Sequence, residues 1–304
     1  MKRLFTLMLA LTGAVAFTMA AAAQELTGTL KKIRDGGSIT IGHRDASVPF
    51  SYYDDKQQPV GYAMDLCMRI VDAVKNELKM PKLDVKYQLV TSANRIPLIS
   101  NGTVDLECGS TTNNLERQKQ VAFTITHFLT ANRWVSKKAS NINTLNDLKG
   151  KTVVSTSGTT NIKQITEINA GKNLGINIIP ANGHAEAFQM VETGRAVAFV
   201  MDDILLYTLV AQSRSPGDYV ISSEALSLPE PYGIMLRRED PAFKKVVDNA
   251  MLQTYKSGEV AKLYEKWFLR PVPPRGINYN VPMTAQFKNL VSRPSDSGDP
   301  TAYK

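Results

Sequence analysis

The sequence predicts an α/β fold built on mostly parallel sheets, and three observations carry that prediction. Short runs with alternating side chains, such as Ser38-Ile39-Thr40-Ile41-Gly42 and Leu83 to Val90, read as strands. Runs with helical spacing lie between them, as at Leu66, Ile70, Val71 and Val74. The two kinds of segment alternate along the chain, the order expected when parallel strands are linked by helices. No internal repeat stands out, and 304 residues suffice for one large domain or two ordinary ones.

Composition narrows the function classes. Hydrophobic content of 43% and charged content of 21% are those of a soluble globular chain. Residues 1–23 read as a secretory signal: Lys2 and Arg3, an apolar run from Leu4 to Phe17, and small residues from Ala20 to Ala23. Setting Lys2 and Arg3 aside lowers the net charge from +8 to +6, with 34 basic residues facing 28 acidic ones. The basic residues are scattered, which argues against a nucleic-acid surface and leaves room for an anionic ligand. No later stretch is apolar enough to cross a bilayer. Cys67 and Cys108 are compatible with one disulfide or with two buried thiols. Neither they nor His43, His127 and His184 show metal-ligand spacing, so no metal and no cofactor is expected.

Leu30 to Ile33 is a helical lead-in, and the strand Ser38 to Gly42 ends at His43-Arg44. A helix runs from Gly61 to about Leu78, followed by the strand Leu83 to Val90. Ser92 suits the N-cap of a helix over Arg95 to Ser100, where Pro97 is tolerated near the start.

The central stretch is Glu107 to Arg117, E-C-G-S-T-T-N-N-L-E-R. Val104 to Cys108 is a short strand, and Gly109 frees the backbone to turn. Ser110, Thr111 and Thr112 then cluster hydroxyls at a strand's C-terminal end, where open α/β sheets bind ligands. Arg117 lies within reach, and a guanidinium grips a carboxylate through two parallel hydrogen bonds. Taken alone, the stretch fits equally a polar strand-to-helix turn capped by Thr112.

Thr152 to Thr156 is the next strand, and Ser157-Gly158-Thr159-Thr160 opens a helix near Asn161 with free N–H groups for an anion. It lacks the Gly-Lys-Ser/Thr ending of a phosphate loop. Ile176 to Ile179 is a strand ended by Pro180, and Ala185 to Thr193 is a helix following His184. Arg195 to Met201 is a strand with Asp202-Asp203 at its end. Tyr232 to Leu236 is the last strand, and helices follow over Pro241 to Ser257 and Gly258 to Trp267. A final helix near Thr284 to Leu290 precedes a tail expected to fray after Arg293.

The T-x-x-x-x-R of Thr112 to Arg117, G-H-R-x-x-S-V-P-F-S-Y-Y-D from Gly42, G-Y-x-x-D-L from Gly61, D-L-x-G-K from Asp147 and K-W-F at Lys266 together resemble a known family. It is the periplasmic amino-acid-binding proteins of ABC importers, the type II, two-lobed receptors of solute-binding family 3. The similarity runs along nearly the whole mature chain and looks closest to the glutamate/aspartate-binding members.

The resemblance implies two lobes joined by a two-strand hinge. Lobe 1 would comprise 24–128 plus 230–304, and lobe 2 would comprise 129–229. It implies that Arg117, Thr112 and Thr160 take a ligand α-carboxylate, and that Asp202, the Ser110 carbonyl and Thr112 take its ammonium. Arg44, Arg95, Ser92 and His184 would take a side-chain carboxylate, each buried charge meeting its opposite. Arg95 stands where most members hold an apolar residue, which with Arg44 points to an acidic side chain. Asp65 is expected to be structural, and Asp203 a helix cap. The implied protein is a monomeric periplasmic receptor that hands L-glutamate or L-aspartate to membrane permease subunits. An enzyme on the same fold, similar to periplasmic dehydratases, is the alternative. Only His184 could serve it as a base, and no G-x-S-x-G, H-E-x-x-H or Cys/His pair appears.

Overall fold

The structure, a computed structural model, describes residues 26–304. The secretory signal expected over 1–23 lies outside the described residues.

Helix α1 (Gly28–Gly36) leads into β1 (Ser38–His43) and a small antiparallel sheet of β2 (Ala46–Ser47), β3 (Ser51–Tyr53) and β4 (Pro59–Val60). Helix α2 (Tyr62–Glu77), β5 (Asp84–Leu89), α3 (Arg95–Ser100), β6 (Leu106–Glu107) and β7 (Val121–Phe123) complete the first pass through lobe 1. The chain crosses on β8 (Phe128–Thr130) into β9 (Asn132–Lys137). Lobe 2 continues with β10 (Thr152–Thr156), α4 (Thr160–Lys172), β11 (Asn177–Ala181), α5 (His184–Glu192), β12 (Ala198–Asp202), α6 (Asp203–Gln212) and β13 (Tyr219–Ile221). It returns on β14 (Glu230–Tyr232) to β15 (Met235–Arg237), α7 (Pro241–Lys256), α8 (Glu259–Phe268) and α9 (Ala285–Ser292).

The two main sheets have matching orders, β5-β1-β6-β15-β7 and β11-β10-β12-β9-β13. In each, the first three strands are parallel. The last two join antiparallel, because β9 and β15 enter their sheets directly from the crossings. The crossing strands β8 and β14 pair with each other, Glu230 opposite Thr130 and Tyr232 opposite Phe128. Two adjacent strands are thus the connection about which the lobes can turn.

Helix α2 buries Leu66, Ile70, Val71 and Val74, the stripe legible in the sequence. Lobe 1 has an aromatic centre in which Phe128 stacks on Phe268 at 5.1 Å and Phe50 meets both edge-on. Lobe 2 has its own apolar group around Trp134, Leu148, Val153, Ile165 and Val200. Asp65 has the structural role expected of it: its Oδ2 accepts from Trp267 Nε1 at 2.7 Å and Lys266 Nζ at 2.6 Å, tying α2 to α8. Gly61 begins that helix at φ +140, and a Cβ there would lie 2.2 Å from the Phe50 carbonyl oxygen.

Cys67 of α2 and Cys108, just past β6, form a disulfide with Cα atoms 6.2 Å apart. It fastens the end of β6, which carries the central stretch, to the main helix of the lobe. Among the described residues no helix is long and apolar enough to cross a membrane, and no cluster of His, Cys, Asp or Glu could hold a metal ion.

Four local expectations are corrected. Strand β11 runs on through Pro180, because it is the edge of its sheet and a proline there forfeits no ladder bond. The strand expected from Arg195 begins only at Ala198. Asn94, not Ser92, occupies the N-cap of α3, and Ser92 Oγ has no partner among the described residues. The tail after Arg293 does not fray: Thr126 N donates to Ser295 O at 2.8 Å, Asn113 Nδ2 to Asp296 O at 2.9 Å, and Tyr303 is buried.

Candidate functional site

Six parallel strands, three in each sheet, direct their C-terminal ends toward the space between the lobes. Arg44 follows β1, Ser92 and Arg95 follow β5, and Ser110 and Thr112 follow β6. From the other lobe, Thr160 follows β10, His184 follows β11, and Asp202 closes β12. Strand ends of open α/β sheets are where loops and helix N-termini converge on a ligand. Each lobe contributes one half of such a site.

The lobes are in contact across it. Arg44 Nη2 lies 3.5 Å from His184 Nε2, Thr112 Oγ1 lies 3.4 Å from Thr160 Oγ1, and Arg117 Nη2 donates to Gly158 O at 3.2 Å. The backbone of Gly158 presses so closely on Ser92 and Ala93 that a Cβ would meet Ala93 Cα at 2.5 Å. Ser92, Arg95, Ser110, Thr112, Thr160, His184 and Asp202 line the enclosed cavity, together with Asn161. The cavity is tight, leaving a water centre about 10 Å³. Arg44 and Arg117 do not line this cavity; each is joined to it by one hydrogen bond, through His184 and through the Thr112 carbonyl.

The site is heavily charged and buried. Arg44, Arg95, Arg117, Glu107, Asp202 and Glu230 are all buried. Burial and the neighbouring Arg95 pull the Arg44 guanidinium down to about 10. The same two causes bring Arg117 down to about 9, against the opposing pull of Glu230, Asp202 and Glu107. Burial also lowers Arg95, although Glu107 opposes it. His184 is held well below the usual imidazole range by burial and by Arg44 and Arg95, so it is neutral near pH 7. Burial, reinforced by Glu230, pushes the Asp202 carboxyl up to about 7.

The polar partners divide the cavity into two ends. At one, Arg95 donates to Thr111 Oγ1, which donates to Glu107 Oε2 at 2.6 Å. Glu107 Oε1 stands 4.0 Å from Arg95 Nη1. Among the described residues, Arg44 Nε and Nη1, Arg95 Nε, Ser92 Oγ and Ser110 Oγ have no hydrogen-bond partner. Unpaired donors at full burial are expensive, and guanidinium donors most of all. At the other end, Asp202 accepts from Asn161 Nδ2 at 2.8 Å and from the Tyr232 hydroxyl. Glu230 Oε2 accepts from Thr112 Oγ1 and Thr160 Oγ1, each at 3.1 Å.

The sequence reading did not single out Glu107, Asn161, Glu230 or Tyr232 as site residues. Glu107 was in plain view inside the central stretch. Glu230 and Tyr232 lie on the return crossing, whose place was legible but whose side chains carried no local signal.

The family described as bacterial extracellular solute-binding proteins, family 3, matches residues 39–270. The chain is similar to the L-glutamate/L-aspartate-binding protein of Pseudomonas aeruginosa, with 55% identity over 275 residues, covering 90% of this chain and 91% of the relative. It is 46% identical to the glutamate/aspartate import solute-binding protein of Escherichia coli over 275 residues, covering 90% and 91%. Among solved structures, an ancestral arginine-binding protein bound to arginine superposes with a TM-score of 0.68 at 29% identity, covering 76% of this chain and 98% of its own.

Proposed function

The chain belongs to the bacterial extracellular solute-binding proteins, family 3, and from that membership we propose that it is a periplasmic receptor for acidic L-amino acids. It captures L-glutamate or L-aspartate between its lobes and presents the closed complex to the membrane permease of an ABC importer. It works as a monomer, with lobe boundaries at the paired crossings, 128/129 and 229/230. The relatives named for glutamate and aspartate support this ligand class.

One observation carries the ligand's chemistry: two buried arginines, Arg44 and Arg95, with donors that no described residue satisfies. The two guanidiniums are buried close to one another, and Arg95 adds to burial in lowering the proton affinity of Arg44. A carboxylate between them supplies the missing charge and acceptors at once. Ser92 Oγ and the neutral His184 complete that end. At the other end Asp202 takes the ammonium with Thr112 and the Ser110 carbonyl, while Arg117, Thr112 and Thr160 hold the α-carboxylate. Both lobes grip the ligand, so it binds the closed state better and shifts the hinge toward it.

The receptor reading stands against the enzyme alternative on the surroundings of His184. Its Nδ1 pairs with Thr156 Oγ1 at 2.9 Å and its Nε2 faces Arg44, with no carboxylate among its partners in the described residues to raise its basicity. Calorimetric titration of refolded, ligand-stripped protein with L-glutamate, L-aspartate, L-glutamine and L-asparagine tests the proposal. Tight binding of the two acids alone is expected. Preference for the amides would remove the Arg44–Arg95 pocket from side-chain recognition.

A further inference from the structure

We propose that Glu230 on the return crossing is a positioning residue that turns the Thr112 and Thr160 hydroxyls into acceptors for the ligand's ammonium, and so makes the site select α-amino acids over dicarboxylates that lack an amine. The inference rests on the acidic-amino-acid reading above and adds to it a residue and a criterion of selection.

A hydroxyl has one proton to give and lone pairs to offer. Both threonine hydroxyls are 3.1 Å from the same oxygen, Glu230 Oε2, in donating geometry. Gln164 Nε2 holds the other oxygen at 2.5 Å, which fixes the carboxylate in place. Once both protons point at Glu230, the cavity-facing sides of Thr112 and Thr160 can only accept. An ammonium has three donors and no acceptor. Asp202 lines the same cavity, its two oxygens already oriented by Asn161 and Tyr232. Three acceptor groups therefore line one cavity.

The hinge strand arranges this. Glu230 and Tyr232 are two residues apart on β14, so both project from one face of the strand. One directs the hydroxyls and the other directs Asp202. The α-carboxylate is then held by Arg117 and by the backbone N–H groups of Thr112 and Thr160, not by their hydroxyls. Thr160 is the first residue of α4, where N–H groups have no intrahelical acceptor. Thr160 thus serves the carboxylate through its backbone and the ammonium through its side chain. A hydroxyl freed from Glu230 could instead donate to a carboxylate, and selection would relax.

The test compares L-glutamate with glutarate, the same dicarboxylate without the amine, by calorimetric titration of wild type, Glu230→Gln and Thr160→Val. In Glu230→Gln the amide can donate to a threonine oxygen and release its proton, so the ratio of L-glutamate to glutarate affinity should fall about 10- to 100-fold. Thr160→Val removes one acceptor at nearly constant volume, and should weaken L-glutamate more than glutarate. An unaltered ratio in folded Glu230→Gln overturns the inference. So does a Thr160→Val protein that loses glutarate more than L-glutamate, because the hydroxyl would then be donating to a carboxylate. Thr160→Val keeps the question open to refutation if Glu230→Gln fails to fold. Failure of wild type to bind L-glutamate would overturn the acidic-ligand reading and this inference with it. The two variant results bear on Glu230 alone.

Discussion

Replacing Gly158 by alanine should uncouple closure from folding. Gly158 sits at φ +75, and its Cβ would fall 2.5 Å from Ala93 Cα, 2.7 Å from Ala93 N and 2.7 Å from Ser92 O. Those atoms are backbone of the opposite lobe and cannot swing aside as a flexible side chain can. To restore an ordinary contact of 3.4 Å, the lobes must part locally by about 0.9 Å. Overpacking of this kind costs about 1–3 kcal/mol, and here the cost falls only on the closed state. Apparent affinity scales with the population able to close, so Kd should rise about 5- to 150-fold. The left-handed backbone adds about 1–2 kcal/mol of strain in open and closed states alike, partly offset by the lower chain entropy of alanine. That part should appear as a lower melting temperature without ligand. Arg117 Nη2 donates to the Gly158 carbonyl at 3.2 Å, so the same displacement loosens the carboxylate end. Titration with L-glutamate and small-angle scattering with and without ligand separate the two effects. A Gly158→Ala protein that binds L-glutamate as tightly as wild type, with the same compaction, would refute the claim that this contact forms on closure.

Three further outcomes follow from the same geometry. Arg95→Met should weaken L-glutamate by at least about 100-fold, because it removes a buried charged hydrogen-bond donor, but should weaken L-glutamine far less; equal losses in parallel titrations would take Arg95 out of side-chain recognition. Asp202 is pushed up to about 7 by burial and by Glu230, against about 3.9 in the unfolded chain, so the ligand-free fold loses this contribution as pH rises from 4 through 7. An ammonium requires the ionised form, so L-glutamate affinity should instead rise about tenfold from pH 6 to pH 8; a flat profile in wild type, or an unchanged slope in Asp202→Asn, would contradict this. Cys67 and Cys108 close a loop with a sequence separation of 41, which the chain-entropy treatment values at about 4 kcal/mol. The Cys67→Ser/Cys108→Ser protein should unfold at clearly lower denaturant concentration, and equal midpoints would mean that the crosslink does not constrain the unfolded chain.

The site was legible where its chemistry is local. Arg44, Ser110, Thr112, Thr160, His184 and Asp202 each stand at the end of a run that reads as a strand, and a strand's end can be read from the sequence that leads to it. What could not be read is what depends on long-range pairing. Glu230 reaches Thr112 across a sequence separation of 118 and Thr160 across 70, and nothing around Pro231 announces either contact. Tyr232 read only as a strand residue because its hydroxyl partner, Asp202, lies in the other lobe. Pro180 ended a strand by local rule, yet an edge position removes the reason for the rule. The tail's Pro, Ser and Asn content suggested fraying, but Tyr303 is anchored by Thr126 and by the Ser297 carbonyl. The two cysteines allowed one intramolecular pairing, but no sequence feature gave their separation.

The proposed binding mode places an acidic amino acid between the lobes, its side-chain carboxylate between Arg44 and Arg95 and its ammonium on Asp202. A crystal structure of the protein grown with L-glutamate tests this most directly. The side-chain carboxylate should lie within hydrogen-bond distance of Arg95 and Arg44, the ammonium against Asp202 and the Thr112 hydroxyl, and Glu230 should still hold both threonines. A ligand bound in the reverse sense, with its α-carboxylate on Arg95, or one bound outside the cleft, would contradict it.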